Sequence, residues 1–334
     1  QAGFGAGFDN ADYSNAGAKI TSIVEDIFNA ADMIVKVKEP QPPEIEMLRK
    51  NQMLFTYLHL APDFDMTEKL IKSGCVAIAY ETVSDERGGL PLLAPMSEVA
   101  GRMAVQAGAH YLELPQGGNG TLLCGVPGVP PGKVTIIGGG VAGSNAAAIA
   151  TGIGARVSII DISTTRLSEL YSQFSGDVTT YQANEDIIEQ LVLEADLVIG
   201  AVLVPGAAAP KIVTKSMVGS MKRGSVMVDV AIDQGGCFET SRPTTHADPI
   251  YVVDDIVHYC VVNIPAAVAR TSTIALNNVT LPFVLKLADQ GLVSAMTDDP
   301  NFLNGLNICR GRVTCRAVAE DQKREFIPAR EAIA

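Results

Sequence analysis

The stretch "VTIIGGGVAGSNAAAIATGIGARVSIID", Val134 to Asp161, decides the fold. An apolar run, Val134 to Ile137, leads into Gly138-x-Gly140-x-x-Gly143, and an Ala-rich segment then carries the chain to a second apolar run ending at Asp161. The pattern specifies a strand, a tight turn and a helix. Gly138 permits the turn, Gly140 lets the backbone approach a pyrophosphate, and Gly143 lets the helix pack close to the strand with its N-terminus facing the anion. A glycine-rich turn of no chemical use would carry the same glycines; specificity comes from the acid about 20 residues on, where a carboxylate binds the ribose 2′-hydroxyl. Asp161 would repel a 2′-phosphate, so NAD is expected over NADP, with Arg166 a nearby cation arguing the other way. Val134 to Ala155 carries no charge and at about 20 residues passes a crude test for a membrane span. Its glycines, with Ser144 and Asn145, suit strand, turn and buried helix better.

Outward from this motif the chain alternates. Strands are expected near Val134–Ile137, Arg156–Ile160, Asp196–Ile199, Ser225–Val230 and Cys260–Val262, with helices between. Upstream, strands at Met33–Val37, Leu54–Leu58 and Val76–Tyr80 alternate with helices at Glu44–Arg49 and Met66–Ser73, and Pro40 ends the first strand. Such alternation implies a parallel sheet. Ser97–Leu112 follows Pro95 as a long helix with Val99, Met103, Ala107 and Tyr111 at helical spacing, and "GGNGTLLCGVPGVPPGK" is a connector. From about Ala275 the chain returns to helix. The expected fold is α/β: two Rossmann-like domains with parallel doubly wound sheets and a cleft between them. Residues 1–94 and 271–334 would form the substrate domain, and residues 95–270 the dinucleotide-binding domain.

A chain of 334 residues is long enough for two such cores. Its 47% apolar content with 5% aromatics, no Trp and 31 Gly matches the cores of parallel sheets. Twenty-five Lys and Arg against 37 Asp and Glu give a net charge of −12, which disfavours nucleic acid and anionic membrane as partners. Six cysteines without a C-x-x-C pair read as reduced cytoplasmic thiols. The chain opens on Gln1 with no charged segment leading into an apolar one, so no export is expected, and the opening is read as that of a fragment or trimmed product.

Open α/β sheets bind ligands at the carboxyl edge of their strands. Lys38 in "VKVKEP", His59 in "TYLHLA" and Asp233 in "VDVAIDQGGC" all follow expected strands. A cation, a base and a carboxylate suit dehydrogenation of an amino or hydroxy acid, in which a carboxylate is held and a proton managed as hydride leaves carbon. Each has a plainer reading: Lys36 and Lys38 as a solvated edge strand, Asp233 as a turn residue before Gly235 and Gly236, His59 as a core histidine with both nitrogens satisfied. His110, His246 and His258 show no ligand spacing, and no metal is expected.

The segments "MIVKVKEP", "LFTYLHLAPD", "IAYETV", "LPLLAPMSEVAGRM", "GVPGV", "IGGGVAG", "DLVIGAVLVPG", "VDVAIDQGGCFETSRPTTH" and "ALNNVTLPFVLKLA" together resemble bacterial alanine dehydrogenase, of the family that also holds the nicotinamide nucleotide transhydrogenase α subunit. The resemblance runs in order along nearly the whole chain. It implies L-alanine, NAD and water giving pyruvate, ammonium and NADH, in a cytoplasmic homohexamer. It also implies that Lys38 binds substrate, that His59 is the acid/base and that Asp233 assists proton transfer beside the nicotinamide. Ser97, Asp161, Val202, Leu203 and Asn263 would line the cofactor, with Val141, Ala142, Arg166, Val230 and Ile264 completing the set around the three glycines.

The family's opening strand, helix and strand, with a substrate-clamping arginine, are expected to be missing. Smaller departures are Asn119, Cys124, Ile264 and Ala266. The competing readings are a transhydrogenase-α-like NAD(H) domain, a silent NAD-binding oligomer or inactive fragment, and a 2-hydroxy-acid dehydrogenase.

Overall fold

The computed structural model describes residues 2–202 and 209–333. These form twelve strands: β1 Met33–Val35, β2 Met53–Thr56, β3 Val76–Ala79, β4 Lys133–Ile137, β5 Arg156–Asp161, β6 Val178–Gln182, β7 Leu197–Gly200, β8 Val226–Asp229, β9 Ile250–Val253, β10 Ile256–Tyr259, β11 Leu306–Cys309 and β12 Arg312–Val313. The chain divides into two compact units, Gln1–Pro95 with Ala269–Ala334, and Met96–Val268.

The second unit is a seven-stranded sheet in the order β6-β5-β4-β7-β8-β10-β9. Six strands are parallel, and β9 closes one edge antiparallel to β10. Both faces are covered, as parallel sheets require, and the side chains show it by strict alternation. Ile136, Ile159, Ile199, Val228 and Val257 enter one core, while Ile137, Ile160, Val198, Met227 and Ile256 enter the other. The strand order reverses at β4, between β5 and β7, and doubly wound sheets bind their ligands beside such a reversal.

The first unit holds a five-stranded sheet, β1-β2-β3-β11-β12. Strands β1 to β3 are parallel, whereas β11 runs antiparallel to β3 and β12 to β11. Leu54, Leu58, Leu70 and Ala77 centre its core and are fully buried. The helix Ala269–Thr297 breaks at Gly291, whose φ of 71° is non-helical. The helical run Ile264–Thr297 is long and apolar enough to cross a bilayer by length and composition, though it includes Arg270 and Lys286.

Several sequence expectations need correction. The strand expected at Cys260–Val262 lies four residues earlier, at β10, because Asp254 and Asp255 both take positive φ (50° and 63°) and turn β9 into β10 as a two-residue hairpin. That hairpin was unread because an Asp-Asp pair carries none of the glycine that usually marks such a turn. Strands β6, β11 and β12 were also missed; they are short and their polar residues obscure the period. Strand β2 ends at Thr56, two residues before the expected end at Leu58, so His59 lies three residues past it.

Candidate functional site

In the second unit, β4 runs into the glycine loop and the helix Val141–Gly152 follows it. The three glycines are there for three physical reasons. Gly138 has φ 97°, and a Cβ on it would lie 2.6 Å from the Ala201 carbonyl oxygen and 3.1 Å from Val202 Cγ2. A Cβ on Gly143 would lie 1.8 Å from the Gly138 carbonyl oxygen. A Cβ on Gly140, in contrast, would meet no protein atom within 4 Å. Its φ of −65° is open to any residue, so neither strain nor crowding from this chain calls for a glycine. Open space at the N-terminus of a twelve-residue helix, beside Val141 and Ala142, fits a cofactor pyrophosphate.

Asp161, at the end of β5, accepts from the Gly139 N–H at 2.7 Å and from the Ser163 N–H at 2.8 Å. The acid thus stands at the glycine loop, where a ribose hydroxyl would compete for its oxygens. Arg166 donates from Nε to the Gly139 carbonyl at 2.8 Å and pairs with Glu169 at 2.7 Å. Its guanidinium is engaged by backbone and carboxylate, an arrangement suited to bracing the loop rather than to receiving a 2′-phosphate.

Ser97 lies on the helix Ala94–Tyr111, one turn before Gly101. A Cβ on Gly101 would lie 2.0 Å from the Ala142 carbonyl oxygen, so this helix packs closely against the first turn of Val141–Gly152. Val230 follows β8 and donates its N–H to the Gly200 carbonyl at 2.8 Å, at the carboxyl edge of the sheet. Asp233 is exposed in the turn Ile232–Gln234 just beyond. Asn263 takes φ 67° and its carbonyl faces His246 Nε2 at 3.0 Å; Ile264 next to it is buried. Leu203 lies outside the described residues. The described residues contain no group of three or more His, Cys, Asp or Glu that could hold a metal.

The first unit contains the histidine turn. His59 is not a core histidine: it has φ 46°, and its side chain is 42% exposed. Glu81 supports this left-handed backbone, accepting the His59 N–H at 2.6 Å and the Leu58 N–H at 3.1 Å. Glu39 Oε1 lies 2.5 Å from His59 Nδ1, and the Tyr57 ring stacks on the imidazole with centroids 5.8 Å apart. Burial would lower the imidazole's pKa, but the Glu39 hydrogen bond and the charges of Glu81 and Glu39 outweigh it and hold His59 above its ordinary range. Glu39 moves the opposite way: burial raises it, and the bond to His59 with the charge of Lys38 brings it below the usual carboxylate range. With Nδ1 held by Glu39, Nε2 is the nitrogen left to exchange protons.

Lys38 is half-buried, with its carbonyl accepting from Thr56 Oγ1 at 2.9 Å. Lys36 is a different case, paired to Glu44. Glu39 and Glu81 were missed in the sequence. The available signal was chemical: a proton-exchanging histidine needs an orienting carboxylate, and "KEP" offers one beside Lys38.

The chain is similar to known proteins along nearly its whole length. The model of the family "Alanine dehydrogenase/PNT, C-terminal domain" matches residues 104–316, and that of "Alanine dehydrogenase/PNT, N-terminal domain" matches residues 1–100. The chain is 58% identical to an alanine dehydrogenase of Halomonas elongata, over 98% of this chain and 88% of that protein. A solved L-alanine dehydrogenase superposes with a TM-score of 0.91 at 52% identity, covering 97% of this chain and 89% of the other. A transhydrogenase from Sinorhizobium meliloti gives a TM-score of 0.80 at 22% identity over 94% of this chain and 89% of its own, a likeness of fold alone. The expected absence of a family segment is not borne out, since the N-terminal model matches from residue 1.

Proposed function

The chain belongs to the alanine dehydrogenase/PNT family, and from that premise we propose that it catalyses the reversible NAD-dependent oxidative deamination of L-alanine to pyruvate and ammonium. NAD, when bound, accepts hydride from the substrate's Cα and, as NADH, returns it. Residues 95–270 serve as the NAD-binding domain, with Gly138, Gly140 and Gly143 at the pyrophosphate and Asp161 at the ribose. Residues 1–94 and 271–334 serve as the substrate domain. Ser97, Val141, Ala142, Val202, Leu203, Val230, Asn263 and Ile264 complete the cofactor's surroundings, and Arg166 braces the loop.

In deamination, His59 takes a proton at Nε2 from the water that attacks the iminium carbon, and the resulting carbinolamine breaks down to pyruvate and ammonium. In reductive amination, protonated His59 gives that proton to the carbinolamine oxygen, which leaves as water. Lys38 neutralises the substrate carboxylate, and Asp233 assists the proton transfers. The observation carrying this reading is the Glu39–His59 pair beside Lys38: it sets the tautomer and keeps the imidazole protonated to a higher pH than a free histidine.

The enzyme works in the cytoplasm as a homo-oligomer, a hexamer by resemblance. Exposed Ile274, Leu281 and Leu285 recur at spacings of seven and four along the helix Ala269–Thr297, supporting burial against another copy.

NADH absorbance is followed with pyruvate, with and without ammonium. Oxidation requiring ammonium is expected. Oxidation without ammonium would mark a 2-hydroxy-acid dehydrogenase, and NADH binding without oxidation a silent oligomer.

A further inference from the structure

The loop that carries Asp233 is gripped through both kinds of backbone polar atom. On one side stands Asp229, the last residue of β8 and fully buried. Its carboxylate accepts from the Ala231 N–H at 3.0 Å, from the Cys237 N–H at 2.9 Å and from the Ser241 hydroxyl. On the other side, the Lys211 ammonium donates to the carbonyls of Gly235 at 2.5 Å, Gly236 at 2.9 Å and Phe238 at 3.1 Å. An ammonium has three protons, and three carbonyls meet them here. The backbone between these anchors turns through Ile232–Gln234 and then through Gly235 and Gly236 at φ 91° and 77°. The fit is close: a Cβ on Gly236 would lie 2.6 Å from Asp229 Oδ2.

Asp233 sits in a short turn that is closed by the Gln234 N–H on the Ala231 carbonyl at 2.9 Å and the Gly235 N–H on the Ile232 carbonyl at 3.0 Å. A displacement of about 1 Å at a reacting group can cost on the order of a hundredfold in rate. The anion and the cation, holding amides and carbonyls of one loop, tie that turn down on both of its flanks. We propose that Lys211 and Asp229 are positioning residues that clamp the loop Val230–Phe238 and so fix where Asp233 stands. This rests on the reading of Asp233 as the carboxylate that assists proton transfer.

The test is a double-mutant cycle on the full chain, with Lys211→Met, Asp233→Asn and both together. The readouts are kcat and KM for L-alanine, and NADH affinity by fluorescence. Lys211→Met is expected to lower kcat on the order of tenfold, with NADH affinity and the KM for L-alanine little changed. It should cost little more once Asp233 is already Asn, and Lys211→Arg, which can still donate to several carbonyls, should recover most of the loss. Equal losses from Lys211→Met in both backgrounds would overturn the clamp, as would no loss at all with Asp233 intact. Full activity in Asp233→Asn alone would instead overturn the role of Asp233, and the clamp with it. Should Lys211→Met fail to fold, the cycle is run with Lys211→Gln, which keeps fewer of the donors and should lose kcat in the same non-additive way.

Discussion

The glycine loop of the second unit and the histidine turn of the first are built on opposite principles. The loop works through side chains that are missing: Gly143 leaves room for the Gly138 carbonyl, and Gly140 leaves room that no protein atom fills. The turn works through side chains that are present: Glu39 and Glu81 reach His59 across separations of 20 and 22 residues, one orienting the ring and the other supporting its backbone. A site made of absences is local in sequence and tolerates no additions. A site made of contacts is assembled by the fold and tolerates no subtractions.

The largest effect expected from breaking this contrast is at the turn. His59→Ala should lower turnover in both directions on the order of 10²- to 10⁴-fold, the usual contribution of general acid–base catalysis, with NADH affinity nearly intact by fluorescence titration. Unchanged turnover would remove His59 from the chemistry.

Next come two substitutions in the loop with opposite signatures. Gly143→Ala forces backbone apart and should destabilise the second unit by about 1–3 kcal/mol or more, read as a lowered Tm with loss of NADH binding. Gly140→Ala meets nothing in the protein and should leave Tm unchanged while weakening NADH about tenfold or more, a loss of at least about 1.4 kcal/mol. Equal Tm losses for the two would contradict the assignment of the open space to the cofactor. Asp161→Ser should narrow the preference for NAD over NADP about tenfold, from loss of the ribose contact and of the charge facing a 2′-phosphate; kcat/KM for the two cofactors reads it directly.

The smallest effect concerns stability. His59 has its pKa raised in the fold, so its contribution is complete below the unfolded value of about 6.5 and is lost as pH rises through the folded value. Glu39 has its pKa lowered, so its share is present above about 4.3 and is lost as pH falls through the folded value. Between those limits the pair is fully charged. Because His59 is well exposed, the pair should contribute less than about 1 kcal/mol. Melting curves of Glu39→Gln and the parent chain should therefore differ most near pH 5–6 and converge toward alkaline pH.

The same contrast explains what could be read from the sequence. The loop was legible to the residue, because Gly138, Gly140, Gly143 and Asp161 follow one another at spacings set by a single strand–turn–helix. Lys38, His59 and Asp233 were legible as polar groups past strand ends, although β2 stops at Thr56 rather than at Leu58. Nothing local announces a left-handed histidine, since its φ is held by Glu81 from beyond β3. Lys211 and Asp229 were invisible for a related reason: a lysine between two loops and an aspartate ending a strand look like solvated ends until the fold brings 211 to 235–238.

The central claim, that His59 exchanges the proton while Glu39 tunes it, is tested most directly by the pH dependence of kcat/KM for pyruvate in reductive amination. The parent chain is compared with Glu39→Gln. The account predicts that the limb requiring protonated His59 shifts to lower pH when Glu39 loses its charge, with a reduced plateau. A limb that stays in place would show that Glu39 does not set the proton affinity of the catalytic group.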